Sequence, residues 1–125
     1  MGFELAMASQ QITLKRVYEP AAAGDGVRIL VERLWPRGLS KDAAALDYWM
    51  KDVAPSPSLR VWFGHRPERW AEFQNSYRQE LQDNQVGVNS LMKICSGRHV
   101  TLVFAAKDER RNSAFVLKEF LEYIR

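Results

Sequence analysis

Two short stretches of this chain gather the side chains best able to hold or move charge. The first, VRILVERLWPRG from Val27 to Gly38, is an apolar run that delivers Arg33, Trp35 and Arg37 to a Pro-Gly corner, with Lys41 close behind. The second, FAAKDERRN from Phe104 to Asn112, brings Lys107, Asp108, Arg110 and Arg111 out of another apolar run. Guanidinium groups present forked donors that match phosphate and carboxylate oxygens. Arg33, Arg37 and Lys41 are therefore read as a clamp for an anionic small molecule, with Trp35 packed on its organic part. Asp108 is the candidate catalytic acid or base: beside Lys107 and the arginines it stays ionised and can accept a proton or orient a water, with Lys107 supplying charge. His65, in WFGHR, is a candidate proton donor at the same place, and Asn112 completes the ligand-binding set.

Each of these residues also has a structural use. Arg33 and Arg37 can pair with Glu32, Asp42 or Asp108 and stitch loops together. Asp108 and Asn112 stand where helix caps are placed, and His65 can bond a helix end. Cys95 falls in register with Val88, Leu91 and Met92 and reads as a small buried hydrophobe; Trp49, Trp62, Trp70 and Tyr77 read first as core. His99 opens a strand at the end opposite the site and is given no role. Two histidines and one cysteine show no H-x-x-x-H or C-x-x-C spacing, so neither a metal nor a cofactor is expected. The sequence contains no G-x-G-x-x-G, G-x-x-x-x-G-K-[ST] or G-x-S-x-G, which removes the usual support for dinucleotide, P-loop and serine-hydrolase chemistry.

Strands must deliver these loops. ITLKRVYE from Ile12 is expected to be the first strand, and PAAAGDG from Pro20 is too short for a crossover helix, which makes the first two strands expected antiparallel neighbours. Val27–Leu34 reads as a central strand covered on both faces, ended by Pro36. Ser40 offers an N-cap for a helix with Leu46, Trp49, Met50 and Val53 on one face, closed by Pro55 and Pro57; Leu59, Trp62 and Phe63 follow in a short turn. Pro67 begins a longer helix with Trp70, Phe73, Tyr77 and Leu81 at three- and four-residue spacing, and Val88 to Cys95 makes another, ended by Gly97. VTLVFAA from Val100 is the second doubly covered strand, and Leu117, Phe120, Leu121 and Ile124 mark a closing helix.

The buried strands are separated by about sixty residues, which suits a right-handed crossover between parallel strands. The expected fold is thus a single α/β domain over 11–125, a narrow three-stranded mixed sheet with about four to five helices in the order β-β-α-α-α-β-α. Parallel buried strands bring both basic loops to one sheet edge, beyond the carboxyl ends where α/β folds bind ligands. So narrow a sheet leaves an edge that a second copy could cover, hence an expected homodimer. Met1–Gln10 reads as a disordered or cloning-derived leader.

With 46% apolar and 11% aromatic residues, 125 residues support one core. No apolar run approaches the roughly 18 residues needed to cross a bilayer, and the start lacks the pattern of a signal peptide. The single cysteine allows no internal disulfide, so a soluble cytoplasmic protein without a membrane partner is expected. A net charge of +3, from 18 basic against 15 acidic residues, favours anionic partners only weakly. The alternative function is a nucleic-acid or protein-binding module using Lys15, Arg16, Arg66 and Arg98, whose signature would be steep salt dependence. No helix carries the basic face of a recognition helix, which favours the small ligand.

Val27 to Gly38 with Ser40 and Lys41, KDVAPSPSLRVWFGH from Lys51, PERWAEF from Pro67 and FAAKDERRNSA from Phe104 together resemble the bacterial family called domain of unknown function 488, most of all its short YeaO-like branch. The resemblance runs from Ile12 to Leu121, with the blocks in the family's order. It implies a family placement and no particular activity. Other members of the wider family are similar to one another in a cysteine and a histidine around the strand and loop matching Phe104 to Ser113. This chain has Phe104, Ala105 and Asn112 in that region, so a thiol chemistry does not carry over. What the resemblance does carry over is the arginine corner, Arg33 and Arg37, and the Lys107–Asp108 pair.

Overall fold

The computed structural model describes residues 11–124, and the leader expected over Met1–Gln10 lies outside the described residues. Four strands form one sheet in the order β1-β4-β2-β3, every neighbouring pair parallel. They are β1 Ile12–Arg16, β2 Val27–Leu30, β3 Tyr48–Trp49 and β4 Val100–Phe104. Among the described residues five α-helices join the sheet: α1 Lys41–Ala44, α2 Pro57–Phe63, α3 Trp70–Asp83, α4 Gln85–Cys95 and α5 Ser113–Ile124. The doubly covered strands do pair in parallel, Ile29 standing opposite Leu102 and Leu30 opposite Val103. No helix among the described residues is long and apolar enough to cross a membrane.

The sheet differs from the expected one: it has four strands rather than three, it is parallel rather than mixed, and the element order is β-β-α-β-α-α-α-β-α. The chain between β1 and β2 is too short for a helical crossover, yet these strands are not antiparallel neighbours, because β4 lies between them. Ten residues can reach up to about 33 Å, well beyond the ~17 Å of a five-residue strand, so 17–26, with a turn after Arg16 and a single 3-10 turn at Ala23–Asp25, returns to the start of the sheet without an α-helix. It passes over β4, where Thr101 Oγ1 donates to the Asp25 carbonyl at 2.6 Å. Gly26 lets the return lie close: its φ is +66°, and a Cβ there would stand 2.2 Å from the His99 carbonyl oxygen.

The additional strand comes from the segment expected to be an amphipathic helix over 40–53. Ser40 caps that helix, its Oγ accepting the Ala43 N–H at 3.1 Å, but α1 lasts one turn and ends where Ala45 turns left-handed at φ 48°. Tyr48 and Trp49, aromatic strand formers, then join the edge of β2. The Asp47 N–H donates to the Arg28 carbonyl and the Met50 N–H to that of Leu30, each at 2.9 Å. The residues read as a turn after Pro55 are instead the helix α2, with Ser56 Oγ accepting the Leu59 N–H as its cap.

Alternate residues of a strand face opposite sides of the sheet. Ile29, Val31, Leu102 and Phe104 join the main core with Phe63, Phe73, Tyr77, Leu91 and Leu117 from α2, α3, α4 and α5. Leu30 and Val103 belong to a smaller core on the other face with Val17 and Ala44, closed by Trp35, Leu39 and Leu46. The chain leaving β2 therefore covers one face, whereas the chain leaving β4 enters α5, which lies against β1 and β4 in the main core. The carboxyl ends of β2 and β4 are neighbours whose connections diverge, the switch point at which an α/β sheet opens a crevice.

Candidate functional site

Glu32 occupies that switch point. Two residues beyond β2, its Oε1 accepts the Ala105 N–H just past β4 at 3.0 Å, spanning the gap between the strands. Its own carbonyl accepts the Trp49 indole N–H at 2.7 Å. Burial pushes the Glu32 carboxyl above its ordinary value, opposed by the Ala105 N–H and by electrostatic attraction toward His65 and Arg60. In the sequence Glu32 stands out only as a pairing partner for Arg33 or Arg37, and it pairs with neither. The signal that could have found it is its place as the first acid after a doubly covered strand.

The two basic loops are tied together by the end of β1. Arg16 donates through Nε to the Ala106 carbonyl (2.9 Å) and through Nη2 to that of Ala105 (3.3 Å), and its guanidinium lies over the Tyr18 ring. Tyr18 in turn donates its hydroxyl to the Arg37 carbonyl at 2.9 Å. The 33–41 corner and the 105–112 loop thus meet through Arg16 and Tyr18, neither of which the sequence marked for this site. Arg37, Lys41 and Lys107 are exposed, and none of them pairs with a carboxylate among the described residues.

Arg33 is not brought to Arg37. It turns the other way, donating through Nε to the Pro55 carbonyl at 2.8 Å and through Nη2 to that of Ala54 at 3.4 Å, beyond β3. There it borders an open cleft of about 350 Å³ with Asp52, Tyr77, Glu80 and Asp83. Glu80 is already engaged by the Ser56 N–H and hydroxyl, and the Tyr77 phenol, buried and raised well above its ordinary value, donates to the Val53 carbonyl. Trp35 sits in the smaller core, edge-on to Trp49, its indole N–H donating to the Leu39 carbonyl at 2.6 Å. His65 is exposed at φ 58°, its ring 5.9 Å from that of Phe63.

In the 107–112 loop Asp108 accepts the Arg110 and Arg111 N–H groups through Oδ1, each at 2.9 Å, and lies 3.6 Å from the Arg111 guanidinium. These donors, the Arg111 N–H first, hold its carboxyl below the usual carboxylate value. A base so stabilised in its ionised form takes up a proton weakly at neutral pH. Asn112 is buried: its amide donates to the Asp108 carbonyl at 3.0 Å and its Oδ1 accepts the Phe115 N–H at 2.9 Å, capping α5. Asn112→Ala is expected to cost about 1–2 kcal/mol in urea unfolding, the range for a lost helix cap; an unchanged midpoint would show that the cap is dispensable.

Of the cations in the alternative reading, Lys15 is bound to Asp25, Arg16 to the loop carbonyls, and Arg66 to Glu68 at 3.2 Å.

A family described as the "Inactive DUF488-N3 subclade" matches residues 11–124. The chain is similar to the uncharacterized protein YeaO of Escherichia coli strain K12, 42% identical over 110 residues that cover 88% of this chain and 96% of that one. It is 41% identical over 111 residues to an uncharacterized protein of Mycobacterium tuberculosis, covering 89% of this chain and 93% of the other. No solved structure matches it significantly.

Proposed function

The chain belongs to the DUF488 family, in the subclade described as inactive, and on that premise we propose that it binds an anionic small molecule without turning it over. The carrying observation is the set of cations at the C-terminal edge that lack acidic partners among the described residues: Arg37, Lys41, Lys107 and Arg110, on loops held together by Arg16 and Tyr18. Arg37 and Lys107 make the charge-assisted contacts to a phosphate or carboxylate, and Lys41 adds field. Trp35 supports the corner from the smaller core, while Arg33 braces the 54–55 segment. Binding rather than turnover is favoured by the end of β4, where Phe104 is followed by Ala105 and Ala106, none of them a nucleophile, and by Asp108, whose donors keep it a weak base.

A thermal-shift screen of wild type and Arg37→Ala against phosphate, sulfate, nucleotides, sugar phosphates and carboxylates tests this reading. At one hundred times Kd a ligand adds about 2.7 kcal/mol, which for a domain of this size raises Tm by roughly 10 °C. Loss of Arg37 is expected to weaken that ligand by about tenfold or more, the scale of one hydrogen bond to a charged group. A flat response of wild type to every anion would overturn it.

A further inference from the structure

The groups around Glu32 leave part of its carboxylate unused. Oε1 is held by the Ala105 N–H; Oε2 meets no hydrogen-bond donor among the described residues. The charged and titratable groups near it come from the helices and loops packed around the end of β2. Arg60 and His65 belong to α2 and the turn after it, and Tyr77 to α3, with its hydroxyl committed to Val53. Arg33, its chain neighbour, is committed to the 54–55 carbonyls, and Arg16 of β1 to those of Ala105 and Ala106. No cation among the described residues lies within ion-pair distance of Glu32. A glutamine would make the same bond to Ala105 without the cost of desolvating a charge. Lys107, exposed and without an acidic partner among the described residues, follows two residues after the Ala105 that Glu32 holds.

We propose that Glu32 selects the ligand of this crevice by pairing with a protonated amine, so that the occupant is a zwitterion bearing both an ammonium group and a phosphate or carboxylate. This rests on the anion-binding function proposed above and narrows its ligand class. The ligand's anionic group lies against Arg37 and Lys107, and its ammonium fills the place left open at Oε2. Because burial raises the Glu32 carboxyl, its preference for an amine is present where the carboxyl is ionised and the amine still protonated, and is lost on acidification at a higher pH than for an ordinary glutamate.

Isothermal titration at pH 8 with matched probes tests the assignment: 2-aminoethyl phosphate against ethyl phosphate, and β-alanine against propionate. In wild type at least one amine-bearing probe is expected to bind about tenfold tighter than its partner, the scale of a hydrogen bond between charged groups. In Glu32→Gln that advantage is expected to shrink to within about twofold while the affinity for the amine-free probe is kept, since the uncharged amide retains the Ala105 bond. If an amine-free probe binds wild type and is lost in Arg37→Ala, but the amine adds nothing, the anion crevice stands and the role of Glu32 is overturned. If no probe binds wild type, both readings fall. The wild-type comparison needs no variant to fold.

Discussion

Asp25→Ala is expected to cost about 3–5 kcal/mol of folding stability, the penalty for leaving a buried charge without its partner. Arg28 is 4% exposed on β2 and donates through Nη1 to Asp25 Oδ2 at 2.7 Å, while its Nε and Nη2 reach the Ala44 and Ala45 carbonyls. Asp25 also accepts from Lys15 and from the Ala22 N–H, and its carbonyl accepts from Thr101. The carboxylate therefore pins the β1–β2 return to β1 and β2, and the backbone carbonyl of the same residue ties it to β4. The Ala22 N–H, with Lys15 and Arg28, holds its carboxyl below the usual value. With the folded value depressed, this stabilisation is present above the unfolded aspartate value of about 3.9 and is lost as pH falls through the folded one. Urea midpoints at pH 7 and along an acid series check both parts. The variant should lose most of its deficit at low pH, and a midpoint unchanged at pH 7 would show that solvent already compensates Arg28.

The need for this pin explains where the sequence misled. Pro20 to Gly26 reads as a hairpin-length turn, and hairpin turns join antiparallel neighbours. So short a return can replace a helix only if its polar groups find partners over the sheet; these are Arg28, three residues from Asp25, and Thr101, which lies far away in the sequence and which only the strand order brings to Asp25. The Ile29–Val31 and Val100–Phe104 runs were legible because strands covered on both faces must be continuously apolar. Tyr48–Trp49 was not, since a two-residue edge strand is too short to impose a period, and its register comes from β2 through Asp47 and Met50.

At the C-terminal edge of the sheet, the two basic loops were legible in the sequence, because residues after doubly covered parallel strands must emerge there. The sequence could not say which cations remain available. Arg33 and Arg37 are alike in the sequence, yet the first is spent on the Ala54 and Pro55 carbonyls and the second has its side chain exposed. Asp108 and Asn112 are tied to Arg110, Arg111 and Phe115, bonds that run only a few residues along the chain, and so capping chemistry foretold them. The bond from Ala105 to Glu32 joins residues far apart in sequence and needed the strand order β4-β2 before it could be seen.

Phe73→Ala is expected to cost about 3–5 kcal/mol, combining lost transfer energy with the cavity left in a core that closes only partly. The Phe73 ring is stacked on Phe63 with centroids 4.4 Å apart and lies 5.7 Å from Trp70 and 5.8 Å from Tyr77, so it is the centre of the aromatic ladder joining α2 to α3. Phe63 is the last residue of α2, immediately before Gly64 and His65, both left-handed at φ 52° and 58°. Losing the stack should therefore loosen α2 before the sheet, seen as faster amide exchange in 57–66 than in β4. Arg37 and Lys107 do not touch this ladder, so an alkyl phosphate that binds wild type should bind the folded variant within about twofold, as distant, independent sites require. A large loss of affinity in a variant still folded would instead mean that the anion is held from the α2 side, by Arg60 and His65. The same mutation thus separates a site built on the two basic loops from one built on the helical hairpin.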